Sequence, residues 1–182
     1  MVCRNPKYAD EAMHEIKEAS KNDKVYIHIL DMSGTNNKSC YFTMNSFVFI
    51  KSLKNLDPKA VSKFATTFDQ PLNVLINNAG CMVNERTITE DGFEKNFATN
   101  TLGTHILTER LASKLKDSPR IIIVSSGGML TNKLDVEDFN FEKMQPFDGT
   151  MAYAQNKRQQ IVMTEQYALK YPNIYFASMH PG

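Results

Sequence analysis

Arg120-Ile-Ile-Ile-Val-Ser-Ser126 sets four consecutive branched apolar residues against two hydroxyl side chains. A strand with one wet face alternates apolar and polar positions, whereas a strand covered by helices on both faces is apolar almost throughout and belongs to a parallel sheet. Runs of the same β-rich character occupy residues 24–30, 72–76 and 174–179. Between them, residues 8–20, 59–67, 93–116 and 151–169 read as helices. This β-α-β-α order predicts an α/β fold, and in such sheets ligands collect at the carboxyl ends of the strands. The polar groups stand there: Asp31, Asn77 and Asn78, Ser125 and Ser126, and His180 each follow one of the four runs.

With 182 residues, 42% of them hydrophobic, the chain can bury one substantial core, and a single domain over 1–182 is expected. Twenty-one basic and 20 acidic side chains leave a formal charge of +1. No long run of one sign marks a nucleic-acid footprint or a basic membrane patch, so small-molecule partners are favoured. Cys3, Cys40 and Cys81 are odd in number and widely spaced, which suggests neither a disulfide framework nor a zinc site. A reducing, cytoplasmic compartment fits that usage. The start, Met1-Val-Cys-Arg-Asn-Pro6, has no apolar signal core, and no stretch approaches the roughly 18 apolar residues of a spanning helix. His14, His28, His105 and His180 lack metal-ligand spacing, and no metal site is expected.

Tyr153 and Lys157 stand four residues apart in Met151-Ala-Tyr-Ala-Gln-Asn-Lys157. One helical turn puts phenol and ammonium on the same face, where the cation favours phenolate. That is proton-transfer chemistry, but chance alone supplies about 0.6 such pairs in a chain of this composition, and an exposed Tyr and Lys have the same spacing. Val74-Leu-Ile-Asn-Asn-Ala-Gly80 ends a strand in carboxamides, Ala79 and Gly80, which either admit a flat ligand or merely close a turn. Asn100, inside a helical stretch, is either recruited by a partner or faces solvent. Ser126 lacks the Gly-x-Ser-x-Gly setting of a hydrolase nucleophile and is read as a hydroxyl for a carbonyl or alcohol, or as an ordinary strand end. The polar connection 131–150 is long enough to lie on the substrate side, and 34–56 reads as an extra strand or a surface loop.

In this order and spacing, Asn77-Asn-Ala-Gly80, Asn100-x-x-Gly103, Val124-Ser-Ser126, Tyr153-x-x-x-Lys157 and His180-Pro-Gly182 resemble the short-chain dehydrogenase/reductase family. The resemblance implies a Rossmann-like, doubly wound parallel sheet in three α-β-α layers. It implies an NADP(H)-dependent oxidoreductase of carbonyl and alcohol substrates, with Tyr153 as general acid/base and Lys157 lowering its pKa. Ser126 would orient the carbonyl and Asn100 would hold a water that joins Lys157 to solvent. Asp31 and Met32 would lie by adenine, and Asn78, Ala79 and Gly80 on the ribose and nicotinamide side, with Tyr153 and Lys157 against the nicotinamide ribose and Pro181 and Gly182 beside the nicotinamide. Arg4 matches the place where a cationic fork meets a 2'-phosphate, which favours NADP over NAD.

The chain carries no Gly-rich phosphate loop, which the family places between a first strand and a first helix. The expectation is therefore a sheet truncated at both ends, with residues 34–56 inserted. Such a chain is read either as the proton-transfer part of a reductase, a homo-oligomer in its full-length form, or as a catalytically silent remnant that does not bind cofactor.

Overall fold

The computed structural model describes residues 6–21, 25–31, 38–44, 47–52 and 58–182. Its strands are β1 (Val25–Asp31), β2 (Lys38–Met44), β3 (Phe47–Ser52), β4 (Leu72–Asn77), β5 (Leu115–Val124) and β6 (Tyr175–Met179). Its helices are α1 (Pro6–Ser20), α2 (Pro58–Thr67), α3 (Lys95–Phe97), α4 (Gly103–Leu111) and α5 (Gly149–Lys170). A π turn at Ala98–Leu102 joins α3 to α4, and 3-10 turns follow at Ala112–Lys114 and Gly127–Thr131.

These strands form one sheet in the order β1-β2-β3-β4-β5-β6, and the connection lengths decide its directions. Only residues 45 and 46 separate β2 from β3, too few for a crossover, so those strands pair antiparallel, as do β1 and β2. The connections that carry α2, then α3 with α4, then α5 are long enough to bring the chain back, and β3 through β6 are all parallel. The α/β, Rossmann-like class is what the structure shows. Two features differ from the expectation. The stretch 34–56 contributes two strands, because the β-branched and aromatic Phe47-Val-Phe-Ile50 is joined to a second run of strand formers. The antiparallel pairing of β1 and β2 also makes the sheet mixed.

One face of β4 and β5 carries the core. Leu75, Ile121 and Ile123 are fully buried against Val61 and Phe64 of α2, Leu107 and Leu111 of α4, and Tyr167 of α5. Asn77, two residues beyond Leu75, emerges on that same face, and its Nδ2 donates to Thr108 Oγ1 of α4 at 3.1 Å. The Lys114 ammonium donates to Ala65 O at 2.8 Å and ties the end of the α4 segment to α2.

The segment expected as one helix over 93–116 is interrupted. In the π turn the Gly103 N–H donates to Ala98 O, five residues back, and the Asn100 carbonyl accepts from side chains. Thr104 Oγ1 and Gln160 Nε2 donate to it at 2.8 and 2.7 Å. α5 matches its expected span closely. Asp148 caps its start, accepting from Thr150 N and Met151 N at 2.8 and 3.1 Å, and Pro172 follows its end at Tyr171.

Leu111 is 0% exposed in the contact between α2, α4 and the sheet. Leu111→Ala is expected to lower unfolding free energy by about 2–5 kcal/mol, through lost transfer energy and the cavity left behind. Urea denaturation measures this, and a loss below about 1 kcal/mol would contradict this packing.

Candidate active site

Parallel β4, β5 and β6 deliver Asn77, Val124 and Met179 to one edge of the sheet, and the residues just beyond them form the site. The Ser125 N–H donates to Met179 O at 2.8 Å, holding β5 and β6 together past their last rungs. The buried Ser125 hydroxyl donates to Lys157 O at 2.9 Å and fastens the middle of α5 to the end of β5. Of the two serines, Ser126 is the one whose hydroxyl bears on the Tyr153 phenol, lowering its pKa. Ser126 Oγ also accepts from Gly128 N at 3.3 Å, capping the short 3-10 turn.

Lys157 is buried, yet its ammonium is provided for. It donates to Val124 O at 2.8 Å and Gln160 Oε1 at 3.1 Å, and lies 5.4 Å from the centre of the Tyr153 ring. Burial pulls this ammonium down to about 8, an effect partly opposed by Cys81. The Tyr153 phenol is pushed up by burial, pulled partly back by the Ser126 hydroxyl and raised again by Cys81. In this structure burial outweighs any lowering of the phenol by Lys157. The cation stands over the ring face and bonds to Val124 and Gln160, so desolvation controls Tyr153.

Asn100 is fully buried in the π turn. Its Oδ1 accepts from Cys81 N and its Nδ2 donates to Cys81 O, both at 2.8 Å, as a neighbouring strand would. Gly80 rests against this pair: a Cβ there would stand 3.0 Å from Asn100 Oδ1 and 3.6 Å from Lys157 Nζ. The Cys81 thiol is raised mainly by burial and stays neutral near pH 7.

The structure thus gathers Ser126, Tyr153, Lys157, Asn100 and Gly80. Ala79 is buried beside Gly80, and Asn78 is half-buried in the same turn. Pro181 and Gly182 follow β6 at this edge and are exposed. The His180 ring packs on Gly127, where a Cβ would lie 3.3 Å from Nε2. Asp31 ends β1 at the same sheet edge, three strands from β4 and so about 14 Å across the sheet. Arg4 and Met32 lie outside the described residues. Sequence reasoning missed Asn96, Gln160, Glu94 and Gly149, which surround this centre. Only the four-residue spacing of Asn96 and Asn100 gave a signal. Among the described residues no group of three or more His, Cys, Asp or Glu could hold a metal, and no helix is long and apolar enough to cross a membrane.

Known proteins resemble this chain in sequence and in fold. The sequence pattern described as short chain dehydrogenase matches residues 49–134. Over 186 residues the chain is 49% identical to Dehydrogenase/reductase SDR family member 12 of Homo sapiens, covering 100% of this chain and 51% of that protein. The crystal structure of an uncharacterized Mycobacterium paratuberculosis protein is 32% identical with a TM-score of 0.63, covering 69% of this chain and 47% of that one. An alcohol dehydrogenase from Thermococcus sibiricus, complexed with 5-hydroxy-NADP, shares the fold at a TM-score of 0.61 and 17% identity, covering 98% of this chain and 63% of that one. The chain belongs to the short-chain dehydrogenase/reductase family. It spans about half the length of the curated relatives it matches.

The lowered Lys157 pKa has a sign in stability. An unfolded chain keeps this proton up to the ordinary 10.5 and the folded chain only up to about 8, so the unfolded state binds more protons in that window. Stability is expected to rise between pH 8 and 10.5, by up to about 3 kcal/mol. The raised Tyr153 pKa acts in the opposite sense above its ordinary 10.0. Urea unfolding of the wild type and Lys157→Met across this range separates them: the difference between the two should shift in favour of the wild type as pH rises. A constant difference would mean that Lys157 titrates normally.

Proposed function

We propose that this chain carries the proton-transfer centre of an NADP(H)-dependent oxidoreductase acting on small carbonyl or alcohol substrates. The observation that carries the reading is the Lys157 ammonium 5.4 Å from the centre of the Tyr153 ring, with the Ser126 hydroxyl close enough to the phenol to lower its pKa. A protonated phenol beside a second hydroxyl can bind one substrate oxygen from two sides. Tyr153 would give that oxygen its proton in reduction and take it back in oxidation, while Ser126 orients the carbonyl. The raised phenol pKa keeps this proton in place near neutral pH.

Residues around Gly80 fit a nicotinamide cofactor. The missing side chain leaves backbone exposed beside Asn100 and Lys157, where a flat ring and its ribose can approach. Asn78, Ala79, Gly80, Tyr153, Lys157, Pro181 and Gly182 would hold the nicotinamide side, Asp31 and Met32 the adenine side, and Arg4 a 2'-phosphate, the reason for preferring NADP to NAD. The bound cofactor supplies the hydride. The ammonium of Lys157, charged below about pH 8, stabilises negative charge developing on the Tyr153 oxygen. Asn100 would fix a water leading from Lys157 to solvent. A cytoplasmic site of action and a homo-oligomeric form belong to the same proposal.

NADPH fluorescence titration of this chain tests the cofactor half: micromolar affinity is expected, and no detectable binding would overturn it in favour of a silent remnant. Tyr153→Phe tests the chemistry. Carbonyl turnover should fall by about 10²–10⁴-fold with NADPH affinity nearly unchanged, and unimpaired turnover would reject Tyr153 as the acid/base.

A further inference from the structure

Asn96 repeats, one helical turn earlier, what Asn100 does. Its Oδ1 accepts from Val83 N at 2.8 Å and its Nδ2 donates to Val83 O at 3.0 Å. Cys81 and Val83, two residues apart in chain leaving β4, are therefore each paired through both backbone groups to a buried carboxamide. The spacings match: two extended residues span about 6.6 Å and one helical turn about 5.4 Å. Two side chains stand in for a neighbouring strand.

The Asn96 amide is itself held in orientation. Its Nδ2 also donates to Glu94 Oε1 at 3.1 Å, while Glu94 Oε2 accepts from Phe97 N at 2.9 Å and caps α3. Both side chains are 0% exposed, and burial holds the Glu94 carboxyl above its ordinary range. From the other side, the first residue of α5 presses on the same stretch. A Cβ on Gly149 would collide with Val83 O and lie 2.7 Å from Asn84 Cα. Tyr153 is one turn further along that helix.

We propose that Asn96 is a positioning residue: by fixing Val83 between the π-turn segment and the start of α5, it sets the separation of the Gly80 edge from the Tyr153 hydroxyl. The proposal rests on the proton-transfer reading above. Without Asn96, Val83 loses both partners, and the register of residues 81–84 against Gly149 is left to Asn100 and a weak Cys81 Sγ contact to Lys95 O at 3.9 Å. Misplacement of reacting groups by about 1 Å costs up to about 10²-fold in rate without requiring weaker binding.

The test compares Asn96→Ala and Asn96→Asp with Asn140→Ala. Asn140 also serves this neighbourhood, accepting from Glu94 N at 2.9 Å and donating to Gly92 O at 3.1 Å, and its side chain bonds to these residues rather than to 81–84. Amide hydrogen exchange reads the positioning directly, and NADPH-dependent turnover reads its consequence. Asn96→Ala should exchange the Val83 amide at least about tenfold faster than Asn140→Ala does, because it removes both partners, and Asn96→Asp, which keeps the acceptor but loses the donor to Val83 O and faces Glu94, should fall between them. Both Asn96 variants should lower kcat by about 10–100-fold with KM for NADPH changed less than about threefold, while Asn140→Ala loses thermal stability without that split. Unchanged Val83 exchange, or kcat falling no further than in Asn140→Ala, would overturn the proposal. If the wild type neither binds NADPH nor turns over, the enzymatic reading fails by itself, and Val83 exchange still decides whether Asn96 sets this register.

Discussion

The pairing of the Asn100 carboxamide with both backbone groups of Cys81 is the constraint on which the site depends. A buried N–H and C=O without partners are costly, and beyond Asn77 the chain has left the hydrogen bonds of the sheet. A side chain that meets both groups lets the backbone run on past the sheet edge in extended form. The helix that carries it opens there into a π turn, where the Asn100 carbonyl also takes side-chain donors. Thr104 and Gln160 supply them, and Gln160 at the same time accepts from Lys157. The position of the buried ammonium thus traces back to one asparagine through a short chain of satisfied polar groups.

This chain of dependence explains why α5 buries Asn156, Lys157, Gln159, Gln160 and Thr164 where an ordinary amphipathic helix would bury leucines. The apolar core lies to one side, between α2, α4 and the sheet, and the polar layer lies at the carboxyl edge. A charged Lys157 is tolerated there because Val124 O and Gln160 Oε1 replace its water, and its lowered pKa records the remaining cost. The same desolvation raises Tyr153, so burial disfavours the charged form of both groups.

Much of the fold was legible because apolar runs have a period and helices have caps. The strands at 72–76 and 120–124 and the helix at 151–169 lie within one to a few residues of their expected bounds at the ends nearest the site. The split of the 93–116 helix was not legible, since nothing in Ala98-Thr-Asn-Thr-Leu102 says that its asparagine will be used by a backbone nineteen residues away. The pairing of β1 and β2 was equally hidden, because a run of strand formers does not name its neighbour. The position of the stretch 38–52 in the sheet is a matter of register and connection length, which only the assembled fold supplies.

By itself the sequence determined the α/β class and marked Ser126, Tyr153, Lys157 and Asn100 as candidates at the carboxyl edge of the sheet, because these follow from local pattern and the order of motifs. Tertiary structure alone decided which way the Lys157 ammonium turns, that burial raises the phenol, and that Asn96 and Gly149 grip Val83. Those outcomes depend on desolvation and on contacts between residues far apart in the chain, and neither quantity is a property of any single stretch of sequence.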